Sequence, residues 1–286
     1  LSALAVQSWT LYAISISLIF SRLVFRRITL GCFKKLQADD WLMLLVLLPY
    51  TASIVAANQV GSAQSATERK FRYLLEEMQI VTTWLVKSCL LVLYWRIFPT
   101  QTSLLKRRLI QGSSVYCCVS FLIVQGSLML WCKPTEEYWD ISTSNPQCTS
   151  YHAHTALTLA FDIPNTLLIM ILPVPFIPTP RRPLLAILLL LSTLVLTTNI
   201  ISHTTILTAT STPPSYLNYT TATSSLSILF ANLPFLTSVV TAAPARIRQM
   251  SLSQWPRSRR GSWEVQTPRS RLDSVASTVK EPKSVA

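Results

Sequence analysis

Charge is what this chain lacks. Only 13% of its 286 residues are Asp, Glu, Lys or Arg, with 12 acids and three histidines in all, whereas soluble domains carry about a quarter charged residues. The shortage is uneven: long blocks hold almost no charge, and Lys and Arg gather between them. That pattern belongs to a chain solvated by lipid rather than by water. No group of Cys, His and acid stands at metal-ligand spacing, so the sequence gives no metal site. No basic patch has a folded domain beneath it, so the formal charge of +13 does not point to nucleic acid.

What is present is apolar length. Half of the residues are hydrophobic, and a bilayer core of about 30 Å needs a run of roughly 20 such residues in a helix. Seven segments qualify or nearly so: 1–21, 39–57, 74–95, 110–131, 153–176, 184–208 and 221–243. The expected fold is therefore all-α, a polytopic bundle of seven transmembrane helices over residues 1–245, followed by a tail at 246–286. The tail is rich in Ser, Arg and Pro and poor in apolar residues, a composition expected to be disordered. The chain opens on Leu with an apolar run already under way, which reads as a first helix shortened at its start. A cleaved signal peptide fits less well, because basic residues follow the run where a small-residue cleavage site would stand.

The basic residues set the orientation. Arg22, Arg26, Arg27, Lys34 and Lys35 follow the first run, Arg96, Lys106, Arg107 and Arg108 the third, and Arg181 and Arg182 the fifth. With nine in the tail, these make 20 of the 25 Lys and Arg. By the positive-inside rule the N-terminus is expected outside and the tail in the cytoplasm. Cys132 and Cys148 then bracket a loop on the oxidising side. A disulfide there closes a loop of about 15 residues and stabilises by roughly 3 kcal/mol; two free thiols are the alternative. Asn218, in the triplet Asn218-Tyr219-Thr220, is an acceptor for N-glycosylation on the same face.

Three polar features remain. Asp39 and Asp40 begin the second helix, where carboxylates cap orphan amides and suit the helix dipole, and Trp41 suits the headgroup belt. Their functional alternative is pairing with Arg or Lys from the first or third cytoplasmic connection. Lys87 in the third helix and Asp162 in the fifth are ionisable groups at membrane depth, where burial demands a partner. They are expected either to pair with each other or to be satisfied singly, Lys87 by snorkelling and Asp162 by Asn165 or nearby hydroxyls. Pro164 predicts a kink beside them. His152, His154 and His203 gather at the outer ends of helices five and six with no acid beside them, and read as surface polarity rather than as a metal site. The last apolar run holds no Lys, which excludes a retinal Schiff base of the familiar type there.

The ordered motifs QADDWLML (37–44), KSCLLVLYWRIFP (87–99), WCKPTEEYWD with Cys148, AFDIPNTLLIMILPVP (160–175) and ANLPFL (231–236) resemble the fungal rhodopsin-like integral membrane domain family. That group includes receptor-like membrane proteins of plant-pathogenic fungi and membrane proteins of toxin clusters. Two segments depart from it. Residues 60–70, VGSAQSATERK, replace a Gly-rich, His-containing stretch, and 220–227, TTATSSLS, lack the usual early aromatic and acid. The resemblance implies a multi-pass protein of the plasma membrane or an endomembrane, receptor-like, with no cofactor. Its partners would be the bilayer, a small lipophilic ligand and a cytoplasmic signalling partner. A membrane enzyme using Asp162 or Lys87 as acid or base, and a transporter, are the competing readings. No second catalytic carboxylate favours the first, and no paired broken helices favour the second.

Overall fold

Backbone at membrane depth has no water to bond, so each apolar run closes its hydrogen bonds within itself as a helix. The computed structural model describes residues 3–30, 37–60, 65–97, 104–140, 148, 151–174, 182–208 and 215–233. They form α1 (Ala3–Leu30), α2 (Ala38–Gln59), α3 (Ala66–Ile97), α4 (Leu104–Trp131), α5 (His152–Ile171), α6 (Arg182–Thr208) and α7 (215–233). No strand occurs among the described residues. Helices α1 to α6 are long and apolar enough to cross a membrane. The tail from 246, with Cys32, Lys34 and Lys35, lies outside the described residues.

The seventh helix is dense in hydroxyls, and the structure shows where they go. Thr220, Thr221, Thr223, Ser225 and Ser227 each donate to the carbonyl four residues back, at 2.7–3.0 Å. Bonded this way, a hydroxyl leaves no unsatisfied group, and these side chains face the bundle, where all five are buried.

Helix ends differ from the sequence reading in three places. First, α1 runs on to Leu30, so Arg22, Arg26 and Arg27 stand on a helix rather than in a loop. Second, α3 begins at Ala66 and has 32 residues, about 48 Å at 1.5 Å per residue, so its first turns rise beyond the bilayer core. Third, α5 gives way to a turn at Leu172 and Pro173: Leu172 still bonds back to the Leu168 carbonyl, but Pro173 has no N–H with which to carry the helix on. The α5 helix itself is continuous through Pro164.

Burial ranks the helices. In the membrane window of α3, 61% of residues are buried, against 17% in α1 and 28% in both α4 and α6; α3 is thus the central helix, with those three at the lipid face. Leu48, Leu122 and Leu190 are more than two-thirds exposed, as lipid-facing side chains are. The core joins Met43, Val46 and Tyr50 of α2 to Trp84, Leu90 and Tyr94 of α3, Val124 and Leu128 of α4, and Ile169 of α5.

A knot of aromatic rings ties the end of the bundle that carries the disulfide. Cys132 and Cys148 form a disulfide, and a 3-10 turn at Thr135–Tyr138 follows Cys132. The Tyr138 ring stacks on Tyr151 at 5.3 Å and meets Tyr73 at 5.0 Å, while its hydroxyl donates to the Leu128 carbonyl at 2.7 Å. The raised start of α3 is held here as well: Arg72 lies 4.8 Å from the Tyr151 ring and 6.0 Å from that of Tyr216, and Arg69 donates to the Asp140 carbonyl at 2.8 Å.

Candidate functional site

Helical spacing explains how charge is collected at mid-bundle. On α5, His154, Thr158, Asp162 and Thr166 recur every four residues and so share one face; all four are buried. On α3, Thr83 and Lys87 are likewise one turn apart, and on α6 so are Asn199 and His203. These faces converge on Asp162. Lys87 Nζ lies 2.5 Å from Asp162 Oδ1 and 3.4 Å from the Asp162 carbonyl oxygen. The other carboxylate oxygen accepts from the Asn199 amide and, at 3.4 Å, from the Thr166 hydroxyl. The Lys87 ammonium also sits 5.0 Å over the Trp84 ring, whose Nε1 is fixed by donation to Ser120 at 3.0 Å.

The charges are thus paired with each other and capped by neutral dipoles, the condition under which they persist away from water. Asn165, fully buried, is not the partner of Asp162; it lies beside the Cys117 thiol. Asn199 takes that place. The sequence signal for it was a lone amide inside an apolar run, LVLTTNIIS, level with Asp162 on the neighbouring helix.

A cavity adjoins the pair. It has about 30 Å³ of room for water centres and is lined by Lys87, Asp162, Asn199, Thr83, Thr223 and Ser227, with apolar walls including Val195 and Phe230. One water needs roughly 10–15 Å³ on this measure, so the space takes about two waters or a small polar group. Toward the outer end, His154 Nε2 and His203 Nδ1 are buried without hydrogen-bond partners. No group of three His, Cys, Asp or Glu able to hold a metal occurs among the described residues.

A second cluster closes the end of the bundle at which the basic residues gather. Gln37 occupies the N-cap position of α2 and its N–H reaches Asp40 Oδ2 at 3.4 Å, so Asp39 and Asp40 belong to the first turn rather than to the cap itself. Both are fully buried, as is Arg22 of α1. Arg22 donates from Nη2 to Asp39 at 2.7 Å and from Nε to Asp40 at 3.0 Å, and its Nη1 reaches the Asn232 side-chain oxygen of α7 at 3.4 Å. Arg96 of α3 donates from Nη1 to Asp39 at 3.1 Å, and Arg26 stands 3.6 Å from both acids. Cys89 donates to the Asp39 carbonyl at 3.2 Å. Three helices therefore meet on two carboxylates, and α7 joins them through Arg22. Trp41, in contrast, points outward and is 57% exposed.

The remaining site candidate, Asn218, lies within α7; its backbone carbonyl accepts from Gln7 of α1 at 3.1 Å and its amide oxygen is buried.

An all-helical bundle with six apolar spans, exposed leucines and an ion-paired interior defines a multi-pass integral membrane protein. More particularly, the chain belongs to the fungal rhodopsin domain family, whose profile matches residues 21–242. No curated protein and no solved structure matches it.

Proposed function

We propose that this protein is receptor-like, with its N-terminus outside, its tail cytoplasmic, and a small lipophilic cue read at the Lys87–Asp162 pair. The observation that carries this reading is the position of the pair: it joins α3 to α5 at a cavity in the middle of the bundle. A ligand bearing one polar or anionic group would compete with Asp162 for Lys87. Because Asp162 also holds Asn199 of α6, that exchange would loosen α5 and α6 from α3 together, a two-state change of the kind ligands bias. The cytoplasmic cluster is where such a shift would be felt, since α1 and α3 meet α2 at Asp39 and Asp40 and α7 is tied to them through Arg22.

The test compares a host carrying the intact protein, one carrying Asp162→Asn, and a deletion host. A lost response to external hydrophobic cues in both altered hosts, with an unchanged metabolite profile, is the expected result. Accumulation of one metabolite precursor in both, without a changed response, would replace sensing with chemistry inside the bundle.

A further inference from the structure

We propose that Arg26 and Arg96 hold the phosphate of an anionic phospholipid headgroup at the cytoplasmic ends of α1 and α3. The argument begins with a mismatch of charge. Three guanidinium groups face two carboxylates in this cluster. Arg22 and Arg96 make the short bonds, at 2.7–3.1 Å. Arg26 makes none: it stays 3.6 Å from each acid, and its Nε is buried without a hydrogen-bond partner. Arg96 engages Asp39 through Nη1 alone. A guanidinium offers five donors in a planar fork suited to phosphate, so among the described residues this corner of the bundle has donors with no short hydrogen bond to satisfy them.

No other carboxylate of the membrane domain stands ready to take them. Apart from Asp39 and Asp40, the sequence has no acid before Glu68, none between Glu77 and Glu136, and none between Asp162 and Glu264. All of the connections at this end fall in those acid-free stretches, so the missing anion has to come from outside this part of the chain. The two arginines are also accessible to one: Arg26 is 15% and Arg96 35% exposed at the side chain. Beside them Trp95 is 42% exposed and carries the Arg107 guanidinium 4.8 Å over its ring. An aromatic ring with a cation over it, at the end of a membrane helix, marks headgroup depth. A phosphate there would meet Arg26 and Arg96 together, leaving Arg22 to the two acids.

The test uses the full chain in nanodiscs of phosphatidylcholine with and without phosphatidic acid. Phosphatidic acid is expected to raise the melting temperature by several degrees and to remain bound through detergent exchange in native mass spectrometry. Arg26→Gln should lose both effects, measured against its own melting in pure phosphatidylcholine, since it also gives up the 3.6 Å ion pairs to Asp39 and Asp40. Lys70→Gln, at the opposite end, should keep both. Equal behaviour of wild type in the two lipids overturns the proposal, and that arm decides even if Arg26→Gln does not fold. So does a full response of Arg26→Gln to phosphatidic acid. Inorganic phosphate producing the whole shift in pure phosphatidylcholine would overturn the lipid as its source.

Discussion

Arg22 of α1 and Asp39 of α2 form an ion pair of 2.7 Å with both side chains closed to solvent. The bond is worth little as a pair taken out of water, since desolvation offsets most of the attraction, but removing one partner strands the other. Arg22→Ala is therefore expected to destabilise by about 3–5 kcal/mol, seen as a large fall in melting temperature. Arg22→Met combined with Asp40→Asn, which leaves Asp39 to Arg26 and Arg96, should recover part of the loss. Equal melting of Arg22→Ala and wild type would contradict the buried pairing.

The mid-bundle pair predicts non-additivity. Lys87→Met and Asp162→Asn should each lower stability by roughly 3 kcal/mol, whereas the double variant should lose less than the sum by about 1–3 kcal/mol. Unfolding in detergent with calibrated denaturant measures all three. Strict additivity would mean that the two charges do not depend on one another.

Reduction should act at the outer end. Opening Cys132–Cys148 is expected to cost about 3 kcal/mol through the freed loop, lowering the melting temperature under reductant. The Cys132→Ser/Cys148→Ser variant should start at that lower value and ignore the reductant.

Tyr138 provides a pH signature. Burial, with Tyr73 beside it, pushes its phenol from the ordinary value of 10 up to about 12. A group whose proton is held more tightly in the folded state contributes stability that is present below the unfolded value and lost as pH rises. Stability should therefore fall as pH climbs from 10 toward 12, and phenolate absorbance between pH 10 and 12 should have one tyrosine fewer in Tyr138→Phe than in wild type. That variant also loses the bond to Leu128, at a cost of about 1 kcal/mol.

Hydropathy and charge made much of this legible. Lys87 and Asp162 stood out because an ionisable group in an apolar run has few ways to be satisfied, and the structure brings them together. Asn165 misled for a geometric reason: three residues beyond Asp162 it is near in sequence, yet its side chain turns toward α4, and the nearer amide comes from α6. Arg22 was hidden by its company. Among five basic residues it counted as one more loop cation, although no helix breaker separates it from α1, and its four-residue spacing from Arg26 puts both on one face. The α7 helix was placed by its apolar run from 221, but its start at 215 was missed because the Ser and Thr there read as polar although they bond back to their own helix.

Those back-bonded hydroxyls bear on biogenesis. A translocon releases segments into lipid one by one according to their own apolarity, and the Ser- and Thr-dense stretch of α7 at 215–227 is poorly suited to leave on that basis. Its Ser and Thr face α3 and α6: Ser224 bonds Gln79, and Thr220 bonds Ser202. Entry of α7 would then follow the assembly of the helices before it, making the last step of insertion also the first check that the bundle has formed.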